Sequence, residues 1–178
     1  MTIARTRELP VPELRRLAAA LWALARARVA LRLTRQVEAD AVLARVLADL
    51  RPDLEAALAQ VHGGSLPVVR VDERQLAHIL RVLIGNALRH RGNEAPHIHV
   101  SARPVGREWL FSVRDNGVGI DPGEHHLAFS AFAGAGQLPA CRELVRRHGG
   151  RLWVESARGQ GATFYFTLPA TRRMGHVC

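Results

Sequence analysis

Phe111-Ser-Val-Arg-Asp115-Asn116-Gly117-Val118-Gly119-Ile120 decides the reading of this chain. Phe111 and Val113 alternate with Ser112 and Arg114, as in a strand with one buried face, and the strand runs straight into an acidic residue followed by two glycines one residue apart. A carboxylate at the mouth of a strand is a fixed hydrogen-bond acceptor, and backbone without a Cβ lets a flat ligand such as a purine base approach closely. The same residues also suit an ordinary turn, because Asn and Gly tolerate left-handed backbone. Only the neighbouring segments distinguish the two.

Upstream, Pro67-Val68-Val69-Arg70-Val71 reads as a short strand. Asp72, with Gln75 three residues on, reads as a helix N-cap with its reciprocal partner. The helix that follows places Leu76, Ile79, Leu80, Leu83, Ile84, Ala87 and Leu88 on one apolar side, and Asn86 sits among them. An amide amid core positions needs a partner or costs ~1–3 kcal/mol. Asn86 is therefore either a helix residue bonded to a loop carbonyl or a ligand for hydrated Mg²⁺ beside a triphosphate, with Arg89 and His90 close to the same charge.

Residues 97–103 alternate as a strand, Pro104-Val105-Gly106 turns, and Trp109, Phe111 and Val113 share one face of the returning strand. His97 and His99 point the same way, but without a third ligand in view a solvated strand face is the reading over a metal pair. Downstream, Phe129 and Phe132 bracket a small-residue run that ends in Gly134-Ala135-Gly136. A helix over 137–147 follows, with His148-Gly149-Gly150 as its cap. Strands 151–155 and 162–168, joined by Gly159-Gln160-Gly161, close the domain. Toward the N-terminus, 39–59 reads as a helix with Pro52 kinking it or starting a new turn, ended by Gly63-Gly64. Leu14, Leu17, Leu21, Leu24 and Leu31 fall at spacings of three and four, which suits both a helix packed on its own domain and a dimer-forming helix.

Composition narrows the function classes. The 178 residues suit one domain plus an appendage. Arginines break every apolar run in the first 60 residues, so no membrane span is expected and the chain is expected to be cytoplasmic. Cys141 and Cys178 make neither a disulfide framework nor a metal cluster. The net charge of +9 comes from 25 basic residues that are all Arg. They are scattered and lack interleaved aromatics, so nucleic acid is not the expected partner.

Taken in order, Asn86, D-N-G-V-G-I at 115–120, Phe129 and Phe132, Gly134-x-Gly136, H-G-G-R-L-W-V-E-S at 148–156 and G-Q-G-A-T-F-Y-F-T-L-P at 159–169 resemble the ATP-binding domain of sensor histidine kinases. The flavour is that of bacteriophytochrome-type kinases, within the wider family of gyrase, Hsp90, histidine-kinase and mismatch-repair ATPases. The resemblance implies an α+β fold, the Bergerat ATP-binding fold: a two-layer α/β sandwich with a mixed sheet backed by helices. It assigns 37–170 to that domain, 1–36 to a helical appendage left from a dimerisation and phosphoacceptor hairpin, and 171–178 to a tail. It further implies ATP and Mg²⁺ as cofactors. Asn86 would hold Mg²⁺, Asp115 would accept the adenine amino group, Gly117 and Gly119 would admit the base, Gly134 and Gly136 would face the phosphates, and Thr163 would lie near the adenine.

The departures from the family pattern remove parts that phosphoryl transfer uses for positioning and charge neutralisation. Val82 stands where an Asn is expected four residues before Asn86, and where the gyrase branch places a catalytic Glu. Only Ala133 separates Phe132 from Gly134 where a long lid is expected. Gln137-Leu138 replaces the third glycine of the usual run, and Pro139 enters the first turn of the next helix. Arg7-Glu8-Leu9-Pro10-Val11-Pro12 echoes the phosphoacceptor motif H-[DE]-L-x-x-P with Arg7 in place of His, and no His precedes His62. Three readings follow. One is an ATP-dependent kinase module of two-component signalling that phosphorylates another protein in trans. The second is a degenerate, dimeric adaptor, paired through 12–35, that docks a response-regulator receiver domain or another histidine kinase. The third, a DNA-linked ATPase of the gyrase branch, is disfavoured by Val82.

Overall fold

The computed structural model describes residues 35–124, 129 and 137–170. The heptad-spaced leucines, the Arg7 segment, Phe132 to Gly136 and the 171–178 tail lie outside the described residues. Strand β1 (Arg35–Glu38) leads into helix α1 (Ala39–Asp49) and the short α2 (Arg51–Ala56). Strands β2 (Gln60–Gly63) and β3 (Val68–Val71) precede the long helix α3 (Glu73–Arg89). The hairpin β4 (His97–Val105) and β5 (Glu108–Arg114) follows, then a 3₁₀ turn at Pro122–Glu124. Helix α4 (Gln137–Arg147) and strands β6 (Leu152–Ser156) and β7 (Ala162–Pro169) complete the described chain.

Among the described residues the main sheet has five strands in the order β2-β4-β5-β7-β6, with β2 parallel to β4 and the other pairs antiparallel. Strand alternation sends Ile98, Val100, Phe111, Val113, Phe164, Phe166, Leu152 and Val154 to one buried face. The apolar sides of α1, α3 and α4 cover that face. At its centre the rings of Phe111 and Phe166 stack at 4.8 Å. This is the expected two-layer sandwich with a mixed sheet. No helix among the described residues is long and apolar enough to cross a membrane.

Several local expectations are corrected. The 39–59 segment is two helices, because Leu50 closes α1 and Pro52 sits in the first turn of α2, where its missing N–H is not needed. The helix does not run to Gly63-Gly64. It ends at Ala56, and Leu58 turns the chain with φ +53 into β2, which pairs with β4. Arg35 and Gln36, expected in the appendage, pair with Val71 and Arg70 as part of β1. Glu73 holds this strand and α1 to the start of α3 through Arg35 and Arg45, and the two guanidiniums keep its carboxyl below the usual range. The hairpin turn falls at 106–107, with Gly106 at φ +59, because β4 continues through Pro104 and Val105.

Asp72 caps α3 as expected, its Oδ1 accepting from the backbone N–H of Arg74 (2.9 Å) and Gln75 (3.1 Å). The reciprocal half of the capping pattern is absent. Gln75 Oε1 instead lies 2.7 Å from His148 Nε2, joining the start of α3 to the end of α4. Removing the cap with Asp72→Ala should lower stability by about 1 kcal/mol, read as a shift in urea midpoint at unchanged slope. Pro139 is the third residue of α4, where a helix has no use for its N–H. Cys141 in the same helix is fully buried, and burial pushes its thiol up to about 12.

Candidate functional site

The C-terminal end of α3 and the loop leaving β5 meet, and the meeting is made by backbone. The His90 N–H donates to the Asn86 carbonyl (2.9 Å), and the His90 carbonyl accepts from the Val118 N–H (3.0 Å). The structure thus brings Asn86, Arg89, His90, Asp115, Gly117 and Gly119 into one neighbourhood. The other wall is the β6–β7 turn. Gly159 N–H donates to the Val118 carbonyl (2.8 Å), and Ser156 Oγ accepts from Ile120 N–H (2.8 Å) while donating to the Gly161 carbonyl (2.6 Å).

Asp115 is buried at the tip of β5. Its backbone N–H donates to the Ala162 carbonyl (2.9 Å), and its Oδ1 accepts from the N–H of Gly117 (2.8 Å) and of Ala162 (3.1 Å). Both donors fall on one oxygen. Oδ2 receives no hydrogen bond from the described residues. Burial raises the carboxyl above its ordinary value, opposed by the two backbone donors and by the nearby His90. An open carboxylate oxygen in a partly desolvated place is a strong acceptor for an N–H donor.

The glycines of the loop answer first to the protein's own packing. A Cβ on Gly117 would lie 2.4 Å from the His90 carbonyl oxygen, and one on Gly119, at φ +70, would lie 2.0 Å from that of Ala157. Thr163 is not beside the carboxylate. It pairs with Arg114 and Glu155 and lies by strand alternation on the opposite, outer face of the sheet, whereas Ala162 is the β7 residue next to Asp115. No alternation argument was needed to find this from sequence beyond continuing the β7 pattern from Phe164 and Phe166.

Asn86 is 7% exposed, and its Oδ1 accepts from Arg89 Nη1 at 3.2 Å. The oxygen that would serve Mg²⁺ therefore already faces a cation, so ion and guanidinium compete for it. Among the described residues no group of three His, Cys, Asp or Glu is placed to hold a metal. Gly134 and Gly136 lie outside the described residues. Phe129 is described, packing edge-on to Phe164 (6.4 Å between centroids) with the Arg142 guanidinium 5.6 Å from its ring centre.

Residues 71–172 match the family described as histidine kinase-, DNA gyrase B- and HSP90-like ATPase. The chain belongs to that family, and its described part has the fold of a histidine-kinase catalytic domain. Among its relatives, cyanobacterial phytochrome A of Nostoc sp. is 40% identical over 146 residues, 76% of this chain and 19% of the relative. Phytochrome-like protein Cph1 of Synechocystis sp. is 34% identical over 138 residues, 72% of this chain and 18% of the relative. This chain thus spans about a fifth of the length of these two proteins. The catalytic domain of the histidine kinase ThkA superposes with a TM-score of 0.69 at 22% identity, covering 78% of this chain and 96% of that one. Full-length ShkA, solved in complex with AMPPNP, superposes with a TM-score of 0.69 at 26% identity, covering 92% of this chain and 40% of that one.

Proposed function

We propose that residues 37–170 bind ATP, with the adenine amino group donating to Asp115 Oδ2, and present it for phosphoryl transfer to a residue of another protein in two-component signalling. The observation that carries this reading is the division of labour at Asp115, where one oxygen serves the backbone and the other is left open. Val118, half exposed between Gly117 and Gly119, supplies apolar surface on the same loop. Asn86 would hold Mg²⁺ once Arg89 swings aside, and Arg89 and His90 would then meet phosphate charge. The ion would neutralise charge on the phosphates. Gly134 and Gly136 are proposed to line the phosphate path.

Transfer in trans is favoured because Arg7 stands where the resemblance puts the phosphoacceptor His. The partner is then a receiver domain or a histidine kinase. Titration with a fluorescent ATP analogue plus Mg²⁺ should give a Kd well below ~1 mM, which corresponds to about −4 kcal/mol. Weaker binding would defeat the reading.

A second reading, a non-catalytic adaptor, is supported by Val82. It is 3% exposed and one turn before Asn86, so an apolar core residue stands where phosphoryl transfer would use a polar side chain. On this reading the chain pairs through 12–35 and associates with its partner without nucleotide. Light scattering at micromolar concentration tests the pairing, and a monomer counts against it.

A further inference from the structure

Strand alternation that buries Ile98 and Val100 sends His97 and His99 to the outer face of the sheet. Sequence alone offered no third imidazole, but the parallel pairing of β2 with β4 sets His62 directly opposite His99, and the antiparallel pairing of β4 with β5 sets Arg114 on its other side. Adjacent strands are ~4.8 Å apart, so His62, His99 and Arg114 form one row across three strands, with His97 one step along. All four side chains are exposed. Together with Ile98, Asp115, Asn116 and Gln160 they line a cavity of about 360 Å³.

Arg114 is the fixed cation of this lining and Asp115, at its buried end, the carboxylate. Arg114 takes part in none of the ion pairs among the described residues, which use Arg35, Arg45, Arg81, Arg146, Arg147, Arg151 and Arg158. The acidic residue in the same row, Glu155, is two strands beyond Arg114, roughly 10 Å away. Of the Asp115 carboxylate, Oδ1 accepts from the N–H groups of Gly117 and Ala162, and the residue is buried where the four strand-face side chains are exposed. Asn116 is committed to the frame, its Nδ2 donating to the Ala95 carbonyl (3.0 Å) and its Oδ1 accepting from the His97 N–H (2.8 Å), which holds the rim of the hollow in place. What remains is a guanidinium, three imidazoles that donate N–H, and the Gln160 amide. The imidazoles are not set for a metal, and the fixed positive charge of Arg114 opposes one.

We propose that the outer face of the sheet carries an oxyanion site of phosphate type, built from His62, His97, His99 and Arg114. It stands independently of the nucleotide reading, since none of its four residues is among those given to the nucleotide. The volume accommodates a free phosphate with its waters or the phosphate of a small monoester.

The test is a titration of the full chain with inorganic phosphate, and separately with phenyl phosphate, at constant ionic strength, following the ring C–H signals of assigned histidines by NMR. Saturable shifts confined to His62, His97 and His99 are expected, at least tenfold weaker in Arg114→Gln and retained in Asp115→Asn. A response to inorganic phosphate alone identifies the free ion as the ligand, and a response to both admits a monoester. Shifts that grow without saturation or track potassium chloride would overturn the proposal. So would shifts at His90 only, an unchanged affinity in Arg114→Gln, or saturation by Zn²⁺ at lower concentration than phosphate.

Discussion

Asp115→Asn should abolish adenine-nucleotide binding while leaving the domain folded. The substitution keeps Oδ1, so the N–H groups of Gly117 and Ala162 retain their acceptor. It converts the open oxygen into an NH₂ group, which on the proposed reading would face the amino group of the base, donor against donor. Leaving two buried donors unpaired costs ~1–3 kcal/mol each, so affinity should fall about 100-fold or more, with the thermal midpoint little changed. Asp115→Ala is the less informative variant, because it strands both backbone N–H groups and lowers stability as well. Retention of wild-type affinity in Asp115→Asn would remove the base-binding role of this residue.

The same carboxylate gives the binding a pH dependence whose sign is fixed. Burial raises its folded-state pKa above the ordinary value. As pH falls toward that raised value Oδ2 gains a proton and ceases to be a full acceptor, so affinity should weaken at a higher pH than an ordinary Asp would produce. The stability contribution runs the other way. The folded state binds this proton more tightly than the unfolded chain, so the group's contribution to stability rises as pH falls through the interval between the two pKa values. Nucleotide titrations of the unaltered chain across pH check the first effect, and the loss of the second in Asp115→Asn is read by urea unfolding across pH.

Gly161→Ala should produce a large loss of stability. Gly161 has φ +72, and a Cβ there would sit 2.0 Å from the Asp115 carbonyl oxygen and 3.0 Å from Asn116 Cα. Left-handed backbone costs an L-residue roughly 1–2 kcal/mol. The clash adds about 1–3 kcal/mol of forced displacement, because the neighbouring Ala162 is bonded to both the backbone and the side chain of Asp115 and cannot yield freely. A total of about 2–5 kcal/mol is a large part of the ~5–15 kcal/mol that holds a domain together. Gly159→Ala is the control, with a similar φ of +74 and nothing within 4 Å of the added atom. It should lose only about 1 kcal/mol. Equal midpoints for the two variants in urea would show that close packing at Gly161 is not what matters.

What was legible beforehand follows from how far each signal reaches along the chain. The β5 strand, the α3 helix with its Asp72 cap, the helix over 137–147 and the two closing strands all announce themselves through local periodicity and caps. Strands β1 and β2 did not, since each is four residues long and becomes a strand only by pairing with β3 and β4, far away in sequence. For the same reason Gln75 was given a partner within its own helix when its bond is to His148. Asn86 was legible as an odd polar residue in a core helix, but its engagement by Arg89 depends on side-chain placement. The role given to Thr163 came from family likeness rather than from alternation along β7, which places it on the outer face.

Cys141 offers an internal clock for these experiments. Its sulfur is sealed inside α4, and with its ionisation pushed up to about 12 it has almost no reactive thiolate at neutral pH while the domain stays closed. A thiol reagent can therefore label it only when that part of the protein opens. With Cys178 changed to Ser, the labelling rate measures the opening equilibrium directly in native buffer, and bound nucleotide or phosphate should slow it in proportion to occupancy.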